Sequence, residues 1–163
     1  MAKKTFNVRS PWEDRWREPS LDELLKPYKE NSKKVTDLFF KKMGEIDDTS
    51  WRIVWHGAAW RWTVEFVLGS AESDAGESGE DGVVLCYFVP RPEQPTISIP
   101  LTDEAIAALP MRRLNRYVRD GIRSSKRAVD LHWATWTPTA GAEIEYLIDL
   151  IQRKRKWLLA AAE

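Results

Sequence analysis

The chain has a single cysteine, Cys86, in 163 residues. No disulfide can form within one molecule, so the core must hold without a covalent staple, and a reducing cytoplasm is the expected setting. Net charge is also missing, because 25 Lys and Arg balance 25 Asp and Glu. Bulk electrostatics therefore makes no case for a nucleic-acid or membrane partner. No apolar run approaches the ~20 residues needed to span a bilayer. The opening MAKKTFNVRS has charge but no apolar segment behind it, so no secretory signal is expected. Histidine is scarce, with two residues. The Gly-rich phosphate loops, H-E-x-x-H, G-x-S-x-G and C-x-x-C are all absent. No cofactor is expected, and the enzyme reading loses its commonest supports.

Tryptophan is abundant, at nine residues, and four of them lie in Trp51–Leu68. Trp51, Ile53 and Trp55 alternate with Arg52, Val54 and His56. After a Gly-Ala-Ala turn, Trp60, Trp62, Val64, Phe66 and Leu68 alternate with Arg61, Thr63 and Glu65. Strict alternation of aromatic and β-branched residues marks a strand with one buried side. Two such runs around a short Gly-containing turn form a hairpin. Its indole-rich face must be covered, and helices are expected to cover it.

An extended arm is expected over residues 1–19, with Trp12 and Trp16 spaced among arginines, followed by one domain over 20–163. Ser20 and Glu23 form a capping box for a short helix that Pro27 limits. A second helix is expected over Ser32–Met43, with Val35, Leu38, Phe39 and Met43 as its stripe. Gly69–Gly82 reads as a mobile acidic loop. It lacks the register of a calcium loop. Val83–Val89 is a continuous apolar run, read as a central strand with Cys86 as an inert buried thiol. Ile97–Leu101, bounded by prolines, is read as an edge or short strand. Thr102 caps a short helix, and a further helix is expected from Met111 to Ile122. Val129–Trp133 reads as a lone strand. The last helix should open at Thr137-Pro138, with its basic tail, Arg153 to Lys156, complementing the dipole. The predicted fold is α+β: an antiparallel or mixed sheet of about five strands with helices on one face.

The element order, the D-x-x-x-W-R of Asp47–Arg52, the G-x-x-W of Gly57–Trp60 and the closing L-I-x-x-I-x-x-K from Leu147 resemble a family of small bacterial proteins of unknown function. More distantly the chain looks like frataxin-shaped α+β domains. The resemblance spans Val35–Trp157. It implies a fold and a bacterial cytoplasmic setting, and carries over no activity and no site residue.

Two constellations could carry chemistry. His56 and His132, with Asp130 and Glu65, could share one sheet face as an acid/base or metal site if their strands are neighbours. The plainer reading is a solvated polar face. Arg112, Arg116, Arg119 and Arg123 fall on one face of the expected Met111–Ile122 helix, with Arg127 just beyond, and guanidinium groups so placed suit phosphates. Here the plainer reading is a solvated helix face. The sequence favours a non-catalytic binding module over an enzyme. A protein partner or self-association comes first, through an exposed patch involving Trp12, Trp16 or Trp136. Nucleic acid is the alternative.

Overall fold

The alternation in the tryptophan-rich stretch folds as β1 (Thr49–Trp55) and β2 (Trp62–Leu68), paired antiparallel with Trp51 opposite Phe66 and Trp55 opposite Trp62. A single helical turn, α3 (Gly57–Trp60), joins them. These elements belong to a computed structural model that describes residues 9–69 and 83–163. The acidic loop expected over Gly69–Gly82 lies outside the described residues from position 70 on, as does the arm before residue 9.

β3 (Val84–Val89), β4 (Thr96–Thr102), β5 (Lys126–Ala128) and β6 (Leu131–Trp136) complete one sheet. Its order is β1-β2-β3-β4-β6-β5 and every pairing is antiparallel. The helices are α1 (Leu21–Leu25), α2 (Glu30–Gly44), α4 (Asp103–Ala108), α5 (Arg116–Arg123) and α6 (Gly141–Ala161). The main core lies between the sheet and α2, α5 and α6. Val64, Phe66, Phe88, Ile97 and Ile99 meet Phe39 of α2 and Leu147 of α6 there. Phe39 stacks on Phe88 at 5.7 Å and meets Phe66 edge-on at 5.6 Å, geometries that aromatic quadrupoles favour. The fold is α+β with helices on one sheet face, as the patterning predicts. Among the described residues, no helix is long and apolar enough to cross a membrane.

Four details differ from expectation. The strand of Ile97–Leu101 is central: β4 pairs with β6 from Ile97 to Thr102 and with β3 from Thr96 to Ser98. Pro100 is tolerated because the β3 ladder has already ended, so the N–H it lacks has no strand to reach. The helix expected over Met111–Ile122 is broken. Met111–Arg113 is a 3₁₀ turn, and Asn115 starts α5 afresh by accepting the Tyr117 N–H at 2.8 Å. The lone strand is a hairpin of β5 and β6, turning at Val129 with φ 61°, so the sheet has six strands among the described residues. The last helix starts after Pro138, where Glu143 accepts the N–H groups of Thr139 at 2.7 Å and Ala140 at 3.2 Å.

The second sheet face is not an open polar plane. Thr63, Glu65 and Ser98 are buried there. Rings of Trp60, Tyr87 and Trp133 cluster over it, with centroids 5.3 Å, 5.7 Å and 5.9 Å apart. Trp60 comes from α3 at the hairpin tip and Trp133 from β6, so the ring cluster joins the tip of the β1–β2 hairpin to the far side of the sheet.

The arm is tied to the hairpin tip from both sides. Trp12 Nε1 donates to Trp60 O at 3.0 Å and Trp62 Nε1 donates to Asp14 O at 2.6 Å. Arg61 lies over the Trp12 ring at 4.7 Å and pairs with Glu13. Of the three tryptophans expected in an exposed patch, Trp12 is docked, Trp136 is buried and Trp16 alone is exposed, at 83%.

Candidate functional site

The four candidate acid/base residues do not converge. Glu65 lies opposite Tyr87 on the second face, and His56 packs edge-on against the same Tyr87 ring at 4.9 Å. His132 lies opposite Leu101, in phase with Ala134 and Trp136, on the face the helices cover. Asp130 is exposed in the β5–β6 turn. The reading that joined His56 and His132 in one site is therefore corrected by the register, which puts them on opposite faces of the sheet. Among the described residues no group of three His, Cys, Asp or Glu side chains is placed to hold a metal.

Each histidine has surroundings of its own. Burial among aromatic rings holds His56 below its usual pKa, only partly countered by nearby Glu65. Its Nε2 is buried without a hydrogen-bond partner. Glu65 is held by Arg52 at 3.2 Å and 3.4 Å. His132 Nε2 meets Asp103 Oδ1 at 2.6 Å, and its Nδ1 lies 3.4 Å from Ser125 Oγ. The order Ser-His-Asp is that of a hydrolytic triad, but the hydrogens are directed otherwise. Ser125 donates to Ile122 O at the much shorter distance of 2.6 Å, so its proton is not presented to the imidazole as a nucleophile requires. Asp103 also takes Arg127 at 2.6 Å, and these two partners hold its carboxyl below the usual range. The cluster fastens the start of α4 to the β5–β6 hairpin.

The arginine stripe survives in part. Arg112 sits in the separate 3₁₀ turn, not on the helix. Arg116 is exposed and paired with Asp120 at 3.4 Å, and Arg127 is bound to Asp103. Arg119 is half-buried, with its Nε unpartnered. Arg112, Arg113 and Arg123 are exposed, and no ion pair holds them among the described residues.

A buried residue that the sequence reading left in the basic tail is Lys154. It stands in the basic run Arg153 to Lys156, yet it is buried at 6% exposure. Its Nζ reaches between β3 and β4 and donates to Leu85 O at 3.0 Å and Pro100 O at 2.5 Å. Burial pushes its pKa down to about 7, and the adjacent Cys86 thiol is pushed up to about 12. The signal was present: Leu147, Ile151 and Leu158 lie seven, three and four residues away, which places Lys154 on the apolar stripe of α6.

Lys154 also borders a groove of about 280 Å³ between α4 and α6. Ala105, Ala108, Leu109 and Trp157 form apolar walls, and exposed Arg153 and Lys156 stand at the rim. Ala105 and Ala108 on α4 and Ala160 on α6 contribute small side chains to the lining, beside the large indole of Trp157. Comparison with family models, with curated proteins and with solved structures finds no match for this chain.

Proposed function

We propose that this chain is a non-catalytic binding module whose working surface is the groove between α4 and α6, and whose ligand is a small apolar molecule with an anionic end. The observation that carries this reading is the groove itself: apolar walls from Ala105, Leu109 and Trp157 under a rim that holds Lys156 and Arg153. An apolar body is removed from water in such a site while Lys156 holds the charged end, Arg153 being paired with Asp149 at 2.8 Å. The bacterial cytoplasmic setting belongs to the same proposal and rests on the sequence resemblance and the lone cysteine.

Octanoate tests it by titration calorimetry. Ala108 is exposed on the groove wall, so Ala108→Phe fills the groove without entering the core. Octanoate binding is expected to fall more than ~10-fold in Ala108→Phe, the cost of about 1.4 kcal/mol of lost contact. Lys156→Glu is expected to weaken octanoate several-fold and leave 1-octanol unchanged. Equal binding to wild type and Ala108→Phe would refute the groove as the site.

A second reading is favoured by the unpaired arginines. Arg112, Arg113 and Arg123, with Arg116, offer a surface for a phosphate-bearing polymer. Binding of a single-stranded oligonucleotide is then expected to weaken steeply from 50 to 200 mM salt and to disappear in Arg112→Glu with Arg123→Glu. Binding indifferent to both changes would remove this reading.

A further inference from the structure

Lys154 lies where β3 and β4 part. Their ladder ends at Tyr87 and Ser98. The next carbonyls toward the gap, of Leu85 and Pro100, both accept from Lys154 Nζ. The lysine thus takes the place of the cross-strand hydrogen bonds that Pro100 cannot make. No carboxylate is paired with it among the described residues, and its neighbour Cys86 is a buried free thiol. A second pocket, of about 270 Å³, opens at this gap between Tyr87, Pro100, Leu131 and Leu158, and it shares Ala105, Lys154 and Trp157 with the groove.

The donor count decides what state this geometry suits. An ammonium has three hydrogens to place, and two acceptors face it here. A neutral amine has two hydrogens, both placed, and a lone pair left over. Burial without a counter-ion favours the same neutral form. A neutral lysine in an apolar pocket is a nucleophile toward carbonyl carbon.

We propose that Lys154 captures a small apolar aldehyde or ketone as an imine in the pocket at the β3–β4 gap. The Nζ lone pair forms the new bond to the carbonyl carbon, and the carbonyl π pair moves to oxygen, which takes a proton as nitrogen gives one up. The carbinolamine then loses its hydroxyl and the remaining N–H hydrogen as water, closing the C=N bond. One amine and one carbonyl give one imine and one water, with no electrons gained or lost. Tyr87 also lines the pocket, its phenol kept protonated by burial up to about 12. A protonated imine keeps one N–H, so one of the two strand carbonyls retains its bond. The inference stands on the gap and its donor count, and does not depend on anionic ligands in the groove.

The test is reductive trapping of the full chain with pentanal and cyanoborohydride at pH 7, followed by peptide mapping. An exposed lysine holds about one free amine in 10³ at this pH. Lys154 is expected to carry the pentyl group roughly a hundredfold ahead of exposed Lys33 or Lys41, and this preference should vanish in urea. Lys154→Arg should remove the label. The N-terminal amine, also partly free at pH 7, falls in a different peptide. Label confined to exposed lysines and the N-terminus, in protein with a native circular-dichroism spectrum, would overturn the proposal. The readout is a modified Lys154, so an octanoate result of either sign leaves it unaffected.

Discussion

Gly121 shows how tightly single residues are fitted. It lies in α5 directly under the Trp136 indole, and a Cβ built there would fall 2.0 Å from the indole nitrogen. That nitrogen donates to Tyr117 O, one turn earlier on the same helix, at 3.1 Å, so the hydrogen bond holds the ring against the glycine. Gly121→Ala is expected to destabilise the fold by about 2–3 kcal/mol, read as a fall of roughly 4–12 °C in melting temperature for a domain of this size. In a Trp136→Leu background the clash is gone and the higher helix propensity of alanine remains. The same change should there become neutral or stabilising by up to ~1 kcal/mol. An unchanged penalty in that background would place its cause outside the indole contact. From the sequence, Trp136 read as an exposed patch residue, since nothing in its own neighbourhood points to a glycine fifteen residues earlier. Lys154 was different: its position on the apolar stripe was legible, but the basic residues around it supplied an easier account.

Among the elements, those set by local pattern were readable and those set by neighbours were not. The alternation of Trp51 to Leu68 marked both strands of the hairpin, although it did not show that Trp51 is exposed at 43% or that β2 is buried on both faces. The run Val83–Val89 reads as central because both its faces are apolar, and β3 does lie between β2 and β4. β4 was misjudged because proline is normally confined to edges. Pro100 falls beyond the end of the β3 ladder, where a lysine fifty-four positions away satisfies the strand carbonyls, and no local signal contains that. The arginine stripe was misjudged for a smaller reason. Asn115 is a strong N-cap in the middle of an otherwise helical period, and once it restarts the helix Arg112 leaves the face it was assigned to. The two histidines depended on strand register, which alternation within each strand cannot supply. It was the pairing of His132 with Leu101, and of Glu65 with Tyr87, that separated them.

At the scale of the whole molecule, buried titratable groups give stability a distinctive pH dependence. Lys154 has a folded pKa of about 7 against 10.5 for the free side chain. Between these values the unfolded chain binds the proton and the folded chain does not, so stability rises with pH across that window and is lost as pH falls toward 7. The slope for one such group approaches 1.4 kcal/mol per pH unit, and the full window is worth on the order of 4–5 kcal/mol. The titratable neighbour acting on the lysine among the described residues, Cys86, is a thiol across this range. His56, also depressed by burial, adds a loss of the same sign as pH falls below 6.5. Tyrosines act in the opposite sense. Burial raises Tyr28, Tyr87 and Tyr117 above their ordinary 10, so their contribution is complete below pH 10 and is lost as pH climbs through their folded values. The two limbs meet near pH 10, well above the sequence isoelectric point of about 6.8 and above the range where most domains are most stable. Urea midpoints measured from pH 6 to 11 are expected to rise, peak near pH 10 and fall. Lys154→Met should flatten the rising limb while leaving the falling one, and should lower stability at pH 10 by about 1–3 kcal/mol because Leu85 O and Pro100 O lose their donor. A rising limb that persists unchanged in Lys154→Met would show that another group carries the proton, and would also remove the neutral amine on which imine capture depends.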